Sequence, residues 1–161
     1  MRVSARMGGK RMNDKTMHEK KPRGLRGPWS DAPYVPTLHH FLGPFDVYDR
    51  EETLGVELDT WDMNDAAQRA ALIRRDITSQ YKELSYRHRH VLLQLLAQAL
   101  QDPDYDFAAI LEHDPESTHA LPARWDEMAD PRAFFADIYQ LARQDWRADL
   151  DRAAAEDPAS W

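Results

Sequence analysis

The stretch "LSYRHRHVLLQLLAQAL", Leu84–Leu100, decides the fold class of this 161-residue chain. Its apolar residues recur at three- and four-residue steps, which is typical of an amphipathic helix. The same periodicity begins near Asn64 and runs to Gln101. An unbroken helix over 64–101 would be about 57 Å long, which is long for a small domain. The pattern therefore fits either one helix or two helices separated by a break near Thr78–Ser85.

The "RHRH" motif at 87–90 resembles a metal or nucleic-acid site, but helix geometry separates its members. Successive helical residues turn by about 100°, so His88 and His90 point about 200° apart and cannot chelate one ion. We predict that His88 faces the core and that His90 faces solvent. Arg87 follows Glu83 by four residues, which predicts a helical ion pair.

The fourth member of the motif, Arg89, belongs to a different pattern. Arg75, Lys82 and Arg89 are spaced by seven residues, which would place them on one flank of a helix. Such a row could bind phosphates or an acidic partner. It could equally pair with the acidic residues of the chain itself.

Downstream of 101, four Asp-Pro dipeptides punctuate the chain. Each places a capping acid before a proline suited to the first helical position. They predict helices near 103–113 and 131–155, with a short turn or helix near 122–129. The buried stripe expected in the last helix comprises Phe135, Ile138, Ala142, Trp146, Leu150 and Ala153.

Upstream of 64, helical periodicity is absent. Four prolines in 28–44 predict extended chain. Leu54, Val56 and Leu58 then alternate with polar residues or glycine, which predicts a strand paired with 45–48 in a β-hairpin. The predicted fold is therefore mainly α with a minor β component: one helical bundle-like domain, 28–161, that carries an N-terminal hairpin.

Charge is distributed unevenly along the chain. Residues 1–27 contain nine Lys/Arg and two acids, a net charge of +7, whereas 28–161 carry −14. The first segment has few large apolar residues and no periodicity, so we predict a flexible basic arm over 1–27. The remaining domain is strongly acidic.

Acidic residues are densest between Asp46 and Asp65, where eight acids oppose Arg50 alone. An acidic surface of this kind suits a basic partner and would accelerate association by electrostatic steering. The predicted partner-binding residues are those in the expected hairpin turn and on the polar face of its strand: Asp49, Glu51, Glu52, Glu57 and Asp59.

A second cluster of polar residues lies in "LEHDPESTHALP", 111–122. Glu116 and His119 match the Glu-x-x-His spacing of di-iron bundles, which however use two such pairs and two further glutamates. His39, His40, His113 and His119 could form a metal site only if folding brought them together. We therefore predict no metal and no cofactor.

Other function classes lack support in the sequence. The chain has no cysteine, and we find no nucleophile elbow, phosphate-binding loop or dinucleotide fingerprint. No apolar run approaches the roughly 20 residues that span a membrane. These features predict a soluble, cytoplasmic, non-enzymatic protein that binds a basic partner protein, as an inhibitor, immunity-type or accessory factor.

Two alternatives remain open at the level of sequence. The first is a nucleic-acid-binding regulator that uses the basic arm and the row Arg75, Lys82 and Arg89. The second, less favoured, is a metal-dependent enzyme built on the histidines named above.

Overall fold

The computed structural model describes residues 24–161, apart from the Lys82 side chain, and this part of the chain is mainly helical. The α-helices are α1 (Val56–Leu58), α2 (Ala66–Ile73), α3 (Tyr86–Gln101), α4 (Phe107–Leu111), α5 (Pro131–Asp145) and α6 (Arg147–Ala154). The π-helical segments are Glu51–Gly55 and Arg74–Thr78, and the 3-10 helices are Leu38–Phe45, Tyr81–Glu83, Trp125–Glu127 and Pro158–Ser160.

The long pattern over 64–101 forms two helices, with the chain broken between Thr78 and Ser85. Leu84 adopts an extended conformation with ψ 138°, which stops helical hydrogen bonding at that point. Ser85 then caps α3 by accepting a hydrogen bond from the backbone N–H of His88. Helix α3 buries His88, Leu92, Leu93, Leu96 and Ala99 and packs against α5 and α6.

The predicted β-hairpin is wrong, because its second strand is helical. Glu51–Gly55 and α1 form a continuous helical segment. A strand would place Val56 and Leu58 on the same face, yet Val56 is 60% exposed and Leu58 is fully buried. Leu54 and Leu58, four residues apart, both contact the core as helical spacing requires. The alternation of apolar residues over 54–58 is short enough to fit both the two-residue period of a strand and the spacing of a helix. The contacts of Leu54 and Leu58 with the core favour the helix.

Only some of the remaining helices begin at an Asp-Pro dipeptide, as the sequence predicts. Asp130 caps α5 as predicted, but Asp106 rather than Asp102 caps α4. The long helix predicted over 131–155 is interrupted at Trp146, whose backbone leaves the helical region at φ −103°. The indole Nε1 of Trp146 donates to the carbonyl oxygen of Thr78 at 3.0 Å, which anchors this bend in the core.

Aromatic rings join the N-terminal part of the chain to α5. Phe45 lies 4.7 Å from Trp125 between ring centroids, and Trp125 lies 5.6 Å from Phe134. Such pairs contribute about 0.5–1.5 kcal/mol beyond their buried area. The segment 38–45, predicted to be extended, is a 3-10 helix because Leu38, Phe41, Leu42 and Phe45 all turn into this core.

The first described residues lie against the C-terminus. Gly24 N–H donates to the carbonyl oxygen of Trp161 at 3.0 Å, and the Arg26 carbonyl oxygen lies 2.6 Å from His88 Nε2. Arg26 and Pro33 form an isolated antiparallel bridge, the only β-type pairing within 24–161. Residues 24–27 of the predicted arm are thus bonded to the domain, and 1–23 lie outside the described residues.

Among the described helices, none has the length and apolar character needed to cross a bilayer.

Candidate partner-binding site

Two segments distant in sequence enclose a cleft of about 970 Å³. One wall comes from the 3-10 helix Leu38–Phe45 and the chain that follows it to Asp59, and the other from 110–126. The floor consists of buried aliphatic side chains: Leu42, Val47, Ile110 and Leu111. The contact between Phe45 and Trp125 lies where the two walls meet the core, so the cleft is built on rigid packing.

The charged side chains that line the cleft are all acidic. Among the described residues, the lining contains six carboxylates and neither lysine nor arginine: Asp46, Glu51, Asp59, Glu112, Asp114 and Asp126. Carboxylates concentrated around a concave, partly apolar surface focus a negative potential within it. The cleft is therefore suited to a cationic group and opposes a phosphate.

Asp46 connects the two walls. Its Oδ1 accepts hydrogen bonds from the backbone N–H groups of Tyr48 and Ala120, each at 3.0 Å. Its Oδ2 lies 2.7 Å from His119 Nδ1, and Val47 N–H donates to the Ala120 carbonyl oxygen at 2.7 Å. Burial alone would raise the pKa of Asp46, but the hydrogen bonds from Ala120, His119 and Tyr48 outweigh it and lower the pKa.

Four histidines line the same cleft: His39, His40, His113 and His119. His40 Nδ1 accepts the Thr37 backbone N–H at 3.1 Å. Burial and then the neighbouring His39 lower the pKa of His40. The four residues converge on one cavity, yet within 24–161 no three His, Asp or Glu side chains are grouped so that they could hold a metal ion.

Four of the five predicted partner-binding residues form an exposed group beside the cleft, which we call the acidic patch: Asp49, Glu51, Glu52 and Asp59. None of the four pairs with a cation of the described chain. Glu51 and Asp59 also line the cleft, so the patch and the cleft are continuous. Asp49 lies in the turn that precedes the helical segment Glu51–Gly55. Its backbone is left-handed, φ 58°, a conformation that Asp tolerates better than most residues.

The fifth predicted residue, Glu57, is engaged within the protein. Its carboxylate lies 2.8 Å from Arg75 NH1 and accepts a hydrogen bond from Trp61 Nε1 at 2.9 Å. Hydrogen bonds from Arg75 and Trp61 lower the pKa of Glu57. Glu57 therefore differs from the acidic patch, because it already has a cationic partner.

The predicted basic row does not exist as one helical flank. Arg75 lies in the π-helical segment and Arg89 in α3, on opposite sides of the chain break. Arg75 bonds Glu57 and Asp76, so the alternative in which the row pairs with the chain's own acids is confirmed for this residue. Arg89 bonds Asp149 and the carbonyl oxygens of Tyr81 and Leu84.

Of the three other predictions for the "RHRH" motif, one is confirmed. His88 is 8% exposed, as expected of a core residue. His90 is half-buried rather than solvent-facing, because its ring packs against Trp161 at 6.0 Å, and burial lowers its pKa. Arg87 pairs with Glu156 at 2.8 Å and not with Glu83, since Glu83 precedes the start of α3.

The sequence identified the exposed acids but missed the second wall of the site. The predicted contact set omits Asp46 and Asp126, and the sequence pattern of 112–119 indicates only possible metal ligands. The bond between Asp46 and His119 joins residues 73 positions apart, and no local pattern signals such a contact. The chain shows no significant match to any protein-family model, curated protein or solved structure.

Proposed function

We propose that this protein is a non-enzymatic acidic binding module that engages the basic surface of another protein, as an inhibitor, immunity-type or assembly factor. The observation that carries the proposal is the continuity of the acidic patch with a cleft whose charged lining is entirely acidic among the described residues. Elsewhere in the described chain, six carboxylates pair with arginine: Glu57, Asp76, Asp137, Asp145, Asp149 and Glu156.

The energetic argument concerns the acids that lack an internal partner. An exposed carboxylate without a cationic neighbour contributes little to folding and repels the like charges around it. A lysine or arginine from a partner would relieve that repulsion and would form charge-assisted hydrogen bonds. Complementary charge of this kind accelerates association and disfavours wrong partners.

The test is capture of a partner with matched charge variants of the full chain. One variant carries Asp49→Asn, Glu51→Gln, Glu52→Gln and Asp59→Asn, which neutralise the acidic patch. The control carries Glu83→Gln, Asp104→Asn, Glu127→Gln and Asp151→Asn, which remove the same charge from exposed acids outside the cleft lining. Captured proteins are identified by mass spectrometry and tested again in purified form.

We expect the wild type and the control to retain the same basic protein and the patch variant to lose it. Retention should weaken as salt rises from about 50 to 300 mM, because screening shortens the range of the interaction. Equal retention by both variants would contradict the proposal.

A further inference from the structure

We propose that the cleft receives a lysine- or arginine-bearing segment of the partner, with apolar side chains of that segment on the aliphatic floor, and that the cleft histidines weaken this binding as the pH falls. The inference rests on the proposed function and deepens it. It names the binding site, the chemical class of the occupant and a control by pH.

The shape of the cleft supports an inserted segment rather than surface contact alone. Its volume of about 970 Å³ lies at the upper end of the roughly 300–1,000 Å³ typical of ligand sites. Leu42, Val47, Ile110 and Leu111 supply an apolar floor beneath the carboxylates. Lysine and arginine suit such a site, because their aliphatic stems lie along apolar surface while the cationic head reaches an acid.

The occupant's charge follows from the lining. With neutral histidines, the six acids among the described lining residues sum to a formal charge of −6. A cationic segment is attracted from every side of it: Asp46, Glu51 and Asp59 belong to one wall, and Glu112, Asp114 and Asp126 to the other. An uncharged apolar segment would cover these carboxylates without compensating them, which is costly.

Four histidines line the cleft, and histidine is the side chain type that ordinarily gains charge between neutral pH and about pH 5. An unperturbed histidine titrates near pH 6.5, whereas Asp and Glu stay ionised down to about pH 4. Each lining histidine that becomes protonated adds one positive charge and so offsets part of the negative charge of the lining acids. Binding of a cation should therefore weaken as the pH falls below about 7.

The groups around each histidine define the detail of this response. His119 faces the Asp46 carboxylate, and His113 lies in the chain between Glu112 and Asp114. His40 stacks near Tyr34 at 6.2 Å and stands beside His39, and burial lowers its pKa. His40 therefore gains its proton at a lower pH than an ordinary histidine, which extends the weakening toward acid.

The test uses the full chain and two fluorescein-labelled peptides of equal length and charge, one alternating Arg and Leu, the other Arg and Ser. Binding is measured by fluorescence anisotropy at pH 7.5 and 5.5. We expect the Arg/Leu peptide to bind at least about tenfold more tightly than the Arg/Ser peptide at pH 7.5, since burial of one leucine side chain suffices for that ratio. Its affinity should fall at least about tenfold at pH 5.5.

A variant that fills the cleft tests whether the cleft is the binding site of the peptide. A side chain added at Gly43, which lines the cleft, meets no atom within 4 Å of its Cβ, so Gly43→Trp should fold and obstruct the cleft. The control is Ala71→Trp, at an exposed position of α2 outside the lining. Gly43→Trp should abolish binding of the Arg/Leu peptide, and Ala71→Trp should retain it.

The histidine contribution has its own variant. His39→Gln, His113→Gln and His119→Gln together should reduce the ratio of affinities between pH 7.5 and 5.5 several-fold. His90→Gln, outside the cleft lining, should leave that ratio unchanged. An unchanged ratio in the triple variant would overturn the pH control.

The remaining outcomes separate this inference from the proposed function. If Gly43→Trp binds the Arg/Leu peptide like the wild type, or if both peptides bind equally, the cleft is not the binding site. Partner capture by the acidic patch can still succeed in that case, so the proposed function would stand alone. If sedimentation shows a dimer that Gly43→Trp dissociates, a second copy occupies the cleft and the inference is overturned.

Discussion

His119 Nδ1 lies 2.7 Å from Asp46 Oδ2, and this contact joins the two walls of the acidic cleft across 73 residues of sequence. The same carboxylate accepts the backbone N–H groups of Tyr48 and Ala120. Asp46 is thus satisfied on both oxygens, and it holds the segment 112–122 in place beside the patch. Together with the Val47–Ala120 backbone hydrogen bond, this side chain fixes the two walls of the candidate site relative to each other.

Replacing Asp46 should therefore destabilise the protein. Asp46→Ala removes the acceptor of the Tyr48 and Ala120 backbone N–H groups, and the loss of these incompletely buried hydrogen bonds should cost about 0.5–1.5 kcal/mol. Urea unfolding at pH 7 measures the change in the free energy of unfolding. Asp104→Ala, which removes an exposed carboxyl, is the control and should stay within about 0.5 kcal/mol of the wild type. Equal effects of the two substitutions would contradict the role of Asp46.

The lowered pKa of Asp46 predicts a dependence of stability on pH. Because the pKa of Asp46 is lowered in the folded protein, its ionised carboxyl contributes stability that is fully present above the unfolded pKa, which is about 3.9 for an ordinary Asp. That contribution disappears as the pH falls from there through the folded pKa. Unfolding free energies measured from pH 7 to 2 should fall more steeply for the wild type than for Asp46→Asn below about pH 4. Parallel curves would contradict this prediction.

The helical segment that replaces the expected hairpin can be tested with two neighbouring apolar residues. Leu58→Ala should cost about 2–5 kcal/mol, because Leu58 is fully buried. Val56→Ala should change stability by less than about 0.5 kcal/mol, because the side chain is 60% exposed. Thermal unfolding of both variants gives the comparison. A strand would bury both residues on one face, so similar losses in the two variants would favour the hairpin.

The ion pair between Arg69 and Asp137 links α2 to α5. Arg69 Nε lies 2.6 Å from Asp137 Oδ2, and Arg69 NH1 donates to the Met63 carbonyl oxygen at 3.0 Å. Arg69→Ala should destabilise the protein by about 2–3 kcal/mol, since it removes charge-assisted hydrogen bonds from a largely buried site. Arg74→Ala, at a residue with a half-exposed side chain, should cost less than about 1 kcal/mol. Chemical denaturation of both variants would contradict the prediction if the two losses were equal.

The helical class of the fold was predictable because local periodicity and capping determine it. The helical periodicity of Leu84–Leu100 and the cap at Asp130 follow from residues within a few positions of one another. The stretch 54–58 was not predictable by that route. A five-residue pattern of alternating polarity fits the periodicity of a strand and that of a short helix. Only contacts with the surrounding core decide which of the two forms.

The site was predictable only in its composition. The sequence displayed the density of acids in 46–65, and four of the five predicted contact residues are exposed. It left open whether Arg75 would pair with an acid of the chain, as it does with Glu57, and it did not reveal that 112–126 would supply the second acidic wall. Both facts depend on contacts between distant segments, which periodicity and spacing do not encode.

The affinity of the protein for its purified, captured partner tests the central claim most directly. The dissociation constant is compared at equal salt for the wild type, for the patch variant and for the control with four exposed acids neutralised elsewhere. An acidic patch that binds a basic surface predicts at least about tenfold weaker binding by the patch variant, which corresponds to about 1.4 kcal/mol, and wild-type affinity for the control. Equal dissociation constants for the two variants would contradict it.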